Sequence, residues 1–306
     1  MSNEFSIPTS EKFSFRHSVC GHGWYDLPPF DLDPSRQRLS YVFASRSSGR
    51  KLWIELRHED GSLIVKTSRK KDGPEAVGVA RHLLRMDEEL DEFYAAVRDD
   101  ERLGWVEERS AGRLLRSATV FEDAVKTICT TNCTWSLTRL MTANLVDAFG
   151  EPAENGRKAF PTAESLAGTT EEYLRTNIKT GYRSPYIIEF SELAASGKLD
   201  PESWLGSTLP TGELRKEILS VKGIGPYAAE NLLKLLGRYE GMALDSWLRS
   251  GFYKRYNREK PCPDKKIEKH YRRFGKWKGL AIWCDMTRSW FEERDVENSV
   301  EGQEPE

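Results

Sequence analysis

The sequence predicts an α+β protein in which an antiparallel β domain precedes a mostly α-helical domain. Apolar and polar residues alternate between Phe13 and Ser68, as expected for strands with one buried face. From Pro74 the apolar residues recur at helical spacing, and this pattern continues to about Glu293. The acidic C-terminus lacks an apolar period, so we expect it to be disordered. The predicted division is a β-rich domain at residues 1–79, a helical domain at residues 80–293 and a tail at residues 294–306.

Three strands are predicted within the first domain. The segments Lys51–Leu56 and Ser62–Thr67 carry the alternating pattern, and His58-Glu59-Asp60-Gly61 between them has the composition of a hairpin turn. A further strand is expected at Arg38–Ser45. Because strands joined by short turns pair with each other in opposite directions, they should form one antiparallel unit.

A helix, a tight hairpin and a second helix are predicted in the second domain. Gly212–Ser220 fits one helix, and Pro226 suits the first turn of another that runs to about Leu236. Gly223 and Gly225 would let the backbone pass close to another group. The N–H groups at the start of the second helix, backed by the positive end of its dipole, point at an anion. The segment therefore predicts a phosphate-binding hairpin.

The hairpin and an acid that follows it resemble a known family. The turn Gly223-Ile224-Gly225, an aromatic residue at Tyr227 and Asp245 about a helix and a turn later look like the signature of the helix-hairpin-helix (HhH-GPD) DNA glycosylases. The resemblance covers roughly residues 80–292 and implies a glycosylase core of base excision repair. Four further segments are similar to the branch that removes alkylated bases, the 3-methyladenine DNA glycosylase II branch: Phe121–Gly150, Phe160–Ala163, Gly181–Tyr186 and Trp277–Trp283.

By this resemblance Asp245 is the catalytic residue. An N-glycosidic bond breaks through a transition state with positive charge on the sugar, so a fixed carboxylate stabilises that charge and can position or deprotonate the attacking water. Aspartate is also a favoured N-cap, and Asp245 precedes a predicted helix at Ser246. The two roles are compatible.

Tyr227 indicates the reaction subtype. The branch of the family that also cuts the DNA backbone has a lysine at this place, whose amine forms a Schiff base with the sugar. The resemblance therefore implies a monofunctional enzyme that hydrolyses the bond to alkylated purines, such as 3-methyladenine and 7-methylguanine, and leaves an abasic site. Two alternatives remain open at this point: an 8-oxoguanine DNA glycosylase, and a protein that binds damaged DNA without cutting a bond.

The base must leave the duplex to be reached, so a pocket for it is expected. The resemblance places four aromatic residues around the flipped base: Tyr227, Trp247, Trp277 and Trp283. An electron-rich ring attracts a cationic base. Packing in the hydrophobic core is the alternative for each of them, and it is the more common role of tryptophan in a helical protein.

The partner expected from the resemblance is double-stranded DNA that contains damaged bases. Its predicted contacts are Lys222, Gly223, Gly225, Asn132 and Arg249. Asn132 has an equal claim to be a polar residue at a helix end, and Lys222 to be a surface lysine. A basic run at Arg249–Lys278, with twelve Lys and Arg against three acids, is expected to add to the attraction, whereas the acidic run Asp87–Glu108 is expected to be a solvated face.

Composition supports these expectations and excludes other classes. The formal net charge is −2, and the chain shows neither a membrane-spanning apolar run nor a signal peptide, so we expect a cytoplasmic protein, associated with the nucleoid if bacterial. Five cysteines without a Cys-x-x-Cys pair indicate no disulfide scaffold, zinc site or iron–sulfur centre. We expect a monomer that uses no metal and no cofactor.

Overall fold

A computed structural model describes the backbone of residues 3–301 and the side chains of residues 3–291. It shows the predicted α+β fold, with one antiparallel sheet near the N-terminus and helices after it. The strands are β1 (Glu4–Pro8), β2 (Asp31–Asp33), β3 (Arg38–Ala44), β4 (Lys51–Glu59) and β5 (Ser62–Thr67). They lie in the order β1–β5–β4–β3–β2.

The predicted hairpin joins β4 and β5. Glu59 pairs with Ser62, which leaves Asp60 and Gly61 in a two-residue turn with φ of 48° and 71°. Positive φ at both positions is the type I′ turn that matches the twist of paired strands. The three predicted strands are confirmed, and the two strands that were not predicted are the short edges of the sheet.

Fourteen α-helices are found in the described part of the chain. The first seven are α1 (Phe15–Val19), α2 (Gly73–Leu83), α3 (Asp91–Val97), α4 (Trp105–Glu108), α5 (Val120–Thr130), α6 (Trp135–Phe149) and α7 (Ala163–Ala167). The others are α8 (Glu171–Tyr173), α9 (Ser184–Ala195), α10 (Thr211–Leu219), α11 (Pro226–Leu235), α12 (Ser246–Tyr256), α13 (Asp264–Tyr271) and α14 (Lys278–Glu301). A π-helical turn spans Leu174–Ile178, and 3₁₀ turns include Gly23–Asp26 and Arg272–Trp277.

The buried side chains form two main hydrophobic cores. The first joins the sheet and α2 to the C-terminal helices and draws its residues from 7–115 and 235–291. The second lies entirely between residues 120 and 233, within α5 to α11. The first core therefore crosses the predicted domain boundary at residue 79, because α2 covers the sheet and continues its apolar surface. The division into domains stays a prediction.

The structure differs from the expected disorder of the C-terminal tail. Helix α14 continues past residue 294 to Glu301, and no Gly or Pro interrupts the sequence between Leu280 and Glu301. The rest of the predicted tail, residues 302–306, lies outside the described residues.

The acidic and basic runs contact each other. Arg273 of the basic run lies 2.6 Å from Asp100 of the acidic run, and Lys276 pairs with Glu92. Seven of the ten acids in the acidic run are exposed, as expected of a solvated face, and the fold adds these contacts to the basic run, where opposite charges attract.

Candidate active site

The predicted helix-hairpin-helix is formed by α10, the turn at residues 220–225, and α11. Val221 and Ile224 are buried in the second core and hold the turn in place. At the far end of α11, the guanidinium of Arg85 donates to the carbonyl oxygens of Lys234 and Leu235 at 3.1 and 2.8 Å. A cation at this end complements the helix dipole, whose positive end lies at the hairpin.

The two glycines of the hairpin differ in backbone conformation and in the space around them. Gly223 has φ of +87°, and a Cβ there would stand 2.5 Å from the Cβ of Tyr186, so no other residue fits. Gly225 is the N-cap of α11 with ordinary φ of −84°, no side-chain cap, and open space within 4 Å of where a Cβ would be. Backbone N–H groups at the start of α11 therefore face an unobstructed approach, as a phosphate site requires.

Asp245 is the N-cap of α12. Its Oδ1 accepts a hydrogen bond from the backbone N–H of Leu248 at 2.7 Å, which fixes the carboxylate. The same side chain lines a cavity of about 690 Å³ between the two cores. Asp245 therefore caps α12 and also faces the cavity, so the two roles considered from the sequence are compatible.

Seven of the sixteen residues that line this cavity are Trp or Tyr. Its lining combines residues from both ends of the chain with α5, α6 and α11: His22, Gly23, Trp24, Tyr25, Asp26, Thr130, Cys133, Trp135, Thr138, Tyr227, Asn231, Asp245, Ser246, Trp247, Trp283 and Trp290. Its volume falls within the usual range of ligand pockets. Concave aromatic surface beside a carboxylate suits a flat ring attached to a sugar.

Tyr227 stands beside Asp245 in this cavity. Burial, with the nearby Asp245 carboxylate as the second cause, raises the pKa of Tyr227 to about 12. Hydrogen bonds with Thr130 and Asn231 act in the opposite direction. The phenol is therefore protonated at neutral pH, so it can donate a hydrogen bond but cannot act as a base.

Three of the four predicted pocket aromatics meet at the cavity. Trp247 and Trp283 lie with ring centroids 6.3 Å apart, and Trp283 donates from Nε1 to the Gly21 carbonyl at 2.7 Å. Trp277 does not line the cavity: it packs in the first core, 5.4 Å from Tyr239 and 5.5 Å from Phe93. Trp277 directly precedes α14 and lies six residues before Trp283. Because six residues are not close to a whole number of helical turns, the two side chains point to different sides of the helix.

Several cavity residues were missed by sequence reasoning. The segment His22–Asp26 supplies one wall, although it belongs to the predicted β domain. Trp135 from α6 covers Gly23 and donates to Asp26 Oδ2 at 2.7 Å, while Trp290 lies 5.3 Å from Trp247. The available signal was a His-Gly-Trp-Tyr cluster without any strand or helix period, which is typical of a functional loop.

The predicted DNA contacts lie outside the cavity lining. Asn132 has φ of 46° in the turn after α5, and its amide donates to Tyr182 Oη at 3.2 Å. Lys222 is exposed on the hairpin and pairs with Glu189 at 2.8 Å. Arg249 on α12 donates twice to Asp264 at 2.8 Å, so its charge is already balanced.

A lysine lies beneath the cavity. Lys234 is 1% exposed, and its Nζ stands 4.2 Å from the centroid of the Trp283 ring without a hydrogen-bond partner among the described residues. Burial lowers the pKa of Lys234 from 10.5 to about 8, against an opposing effect of Asp245. An amine in this position destabilises the fold while it is charged.

Lys234→Met is expected to stabilise the protein at pH 7 by on the order of 3 kcal/mol, because Met fills a similar volume without a buried charge. Below about pH 8 the wild type carries the full penalty. Between about pH 8 and 10.5 the folded lysine has lost its proton while the unfolded one keeps it, so wild-type stability rises with pH and the difference shrinks. Urea unfolding of both proteins from pH 7 through this range measures the difference in their free energies of unfolding. A variant less stable than the wild type at pH 7 contradicts the prediction.

The helix-hairpin-helix and the acid beside the cavity occur together in one family of DNA repair proteins. The chain belongs to the HhH-GPD superfamily of base excision DNA repair proteins, whose family model matches residues 125–277, half of the chain.

The proteins that the chain is similar to include glycosylases of two kinds. A stretch of 91 residues is 36% identical to the DNA-3-methyladenine glycosylase of Bacillus subtilis (strain 168), and spans 29% of this chain and 29% of that protein. The fold is similar to the 3-methyladenine DNA glycosylase from Archaeoglobus fulgidus, with a TM-score of 0.76, 20% identity and coverage of 94% and 99% of the two chains. It is also similar to the apo 8-oxoguanine glycosylase/lyase of Clostridium acetobutylicum, with a TM-score of 0.72, 17% identity and coverage of 94% and 96%.

The described residues contain neither a membrane-spanning segment nor a metal cluster. No helix among them is long and apolar enough to cross a bilayer. No group of three or more His, Cys, Asp or Glu residues in that part of the chain could hold a metal ion.

Proposed function

We propose that this protein is a monofunctional DNA glycosylase that releases alkylated purines, such as 3-methyladenine and 7-methylguanine, from double-stranded DNA. The observation that carries the proposal is the fixed carboxylate of Asp245 on a cavity with aromatic residues, one helix and a loop after a hairpin whose free N–H groups suit a phosphate. Family membership and the stretch shared with a DNA-3-methyladenine glycosylase support it.

The proposed reaction begins when the damaged nucleotide leaves the stack and its base enters the cavity. The rings of Tyr227, Trp247 and Trp283 offer apolar faces to a planar base, and those faces attract a positively charged one. Unstacking costs a few kcal/mol and least for a damaged base, so the flip itself contributes to selection.

Asp245 acts where the glycosidic bond breaks. The bond's electron pair leaves with the base, and the sugar gains positive charge that the carboxylate stabilises. Water then attacks the sugar carbon, with the carboxylate placed to orient it and accept its proton. Because the Leu248 N–H already holds Asp245 in one orientation, little reorganisation is needed during the reaction.

The absence of strand cleavage follows from the chemistry at position 227. A phenol cannot form an imine with the sugar, and no lysine lines the cavity among the described residues. Lys234 lies behind Trp283 with its amine buried, and Lys222 is exposed on the hairpin beside Glu189. Both amines are therefore poorly placed for attack on the sugar.

Release of alkylated purines with an intact abasic site is the expected outcome on duplexes that each carry one defined lesion. The assay should include 3-methyladenine, 7-methylguanine, hypoxanthine and 8-oxoguanine, with free base measured directly. Strand breaks should appear only after alkali or heat, and borohydride should trap no protein–DNA adduct, since no imine forms. Efficient trapping with release of 8-oxoguanine would support the bifunctional alternative instead. Tight binding to lesion duplexes without release of any base would support a DNA-binding protein without glycosylase activity.

A further inference from the structure

The face of α11 that enters the cavity continues one turn below it. Tyr227 and Asn231 line the cavity, and Lys234 follows at the next position of the same face, seven residues after Tyr227. Its amine lies against Trp283, 4.2 Å from the ring centroid, while that ring forms part of the cavity wall. The amine therefore lies next to one of the rings that line the cavity.

Few charged groups share this space. Asp245 faces Lys234 from the start of α12, Glu230 lies on the same helix, and the Cys284 thiol faces it from α14. On the remaining side are Arg85, whose guanidinium donates to the Lys234 carbonyl, and His22. Burial, with the Lys234 charge as the second cause, lowers the pKa of His22 well below its ordinary value, so His22 is neutral.

We propose that the charge of Lys234 sets the relative rates at which the cavity releases cationic and neutral bases: the protonated amine shifts the ratio toward neutral bases, and the neutral amine shifts it toward cationic ones. The inference rests on the proposed glycosylase activity and adds the rule by which that activity selects its substrate. With the amine charged, Lys234 and Asp245 balance each other, whereas with the amine neutral the Asp245 carboxylate is left to attract a cation.

The chemistry of the leaving base gives the same direction. When the bond between the sugar and a base nitrogen breaks, both electrons go to that nitrogen. A cationic base then leaves neutral, and the attacking water gives its proton to Asp245 or solvent. A neutral base leaves with a negative charge and must take up a proton derived from the attacking water. A positive charge behind Trp283 stabilises the second departure and repels the first base before it reacts.

The environment of the Lys234 amine is consistent with a change in its charge near neutral pH. Burial lowers the pKa of Lys234 to about 8, so it is largely charged at pH 6.5 and largely neutral at pH 9. The selection rule is therefore expected to shift within a range in which the protein can be assayed.

The test measures the ratio of single-turnover release rates for 3-methyladenine, a cationic base, and 1,N6-ethenoadenine, a neutral one. At pH 6.5, Lys234→Met should raise the cationic-to-neutral ratio about tenfold over wild type, by removing the charge. Lys234→Arg keeps a charge at every pH, so its ratio should stay at the wild-type value for pH 6.5. As pH rises to 9, the wild-type ratio relative to that of Lys234→Arg should climb, and this comparison cancels ionisation of the lesions themselves.

Lys66→Met is the matched control, because Lys66 also stands over a tryptophan, 6.0 Å from the Trp53 centroid, but on the sheet. It should leave the ratio unchanged. Equal ratios in wild type and folded Lys234→Met overturn the inference while base release itself supports the proposed function. Failure to release the neutral base at pH 6.5 also overturns the inference. Release of no base from any duplex would instead overturn the proposed function. If Lys234→Arg does not fold, the Lys234→Met comparison at pH 6.5 decides.

Discussion

Asp245→Asn is expected to lower the rate of base release by at least ~10²–10³-fold, the typical effect of removing one positioned charge stabiliser. The loss should be larger if the carboxylate also activates the water, because an amide cannot accept the proton. Affinity for duplex DNA should be nearly unchanged, since Asp245 lines the cavity and is not part of the hairpin. Single-turnover release and equilibrium binding on the same lesion duplex measure the two quantities.

The variant should fold, because asparagine is as good an N-cap as aspartate and can keep the hydrogen bond from Leu248. Asp200→Asn is the matched control: Asp200 caps the 3₁₀ turn Pro201–Trp204 through the Glu202 N–H, away from the cavity. It should retain full activity. Full activity of a folded Asp245→Asn protein would refute the assignment, and thermal unfolding of both variants shows whether a loss of rate comes from loss of fold.

Gly225→Asp is expected to weaken binding to all duplexes alike, damaged or not, by about tenfold or more at low salt. The substitution puts a carboxylate at the N-terminus of α11, where the proposed phosphate would lie. For every phosphate that the variant no longer binds, the slope of log affinity against log salt should also fall by about one. Fluorescence anisotropy with one undamaged duplex at several salt concentrations measures both effects.

The Gly225→Asp variant is expected to fold, so a loss of affinity would report on DNA binding. A Cβ at Gly225 meets nothing within 4 Å, and aspartate is a favoured N-cap, so α11 should be stabilised rather than disrupted. Gly225→Asn has nearly the same size and capping ability without the charge, and should lose much less affinity. Unchanged affinity and salt slope in folded Gly225→Asp would show that the hairpin does not contact DNA. Gly223 is unsuitable for this purpose because any side chain there collides with Tyr186.

Local sequence patterns predicted the parts of the fold that depend on neighbouring residues. The turn at Asp60 and Gly61 and the pair of helices around Gly223 were found because turn geometry and helix starts need particular residue types within a few positions. The position of Asp245 as a helix cap is of the same kind. The edge strand β1 was missed because its alternation contains only two apolar residues, and β2 was missed because it spans only three residues.

Long-range contacts decided which aromatic residues meet. Trp277 and Trp283 belong to the same short segment, yet one packs against Tyr239 in the first core and the other lines the cavity. Tryptophan has the same burial tendency in both places, so composition cannot distinguish them. Likewise, the pairing of Arg273 with Asp100 spans most of the helical part of the chain and has no local signal.

By itself, the sequence of this protein determined the α+β class, the hairpin that presents backbone N–H groups, and the carboxylate placed one helix later, because each depends on spacing along the chain. Only the tertiary structure decided the cavity. The loop His22–Asp26 and Trp290 lie far apart in sequence, and they become neighbours because the first core packs the N-terminal sheet together with the C-terminal helices. The same packing buries Lys234 behind Trp283, where the low polarity of the interior lowers its pKa, whereas in the sequence it is one lysine on an amphipathic helix.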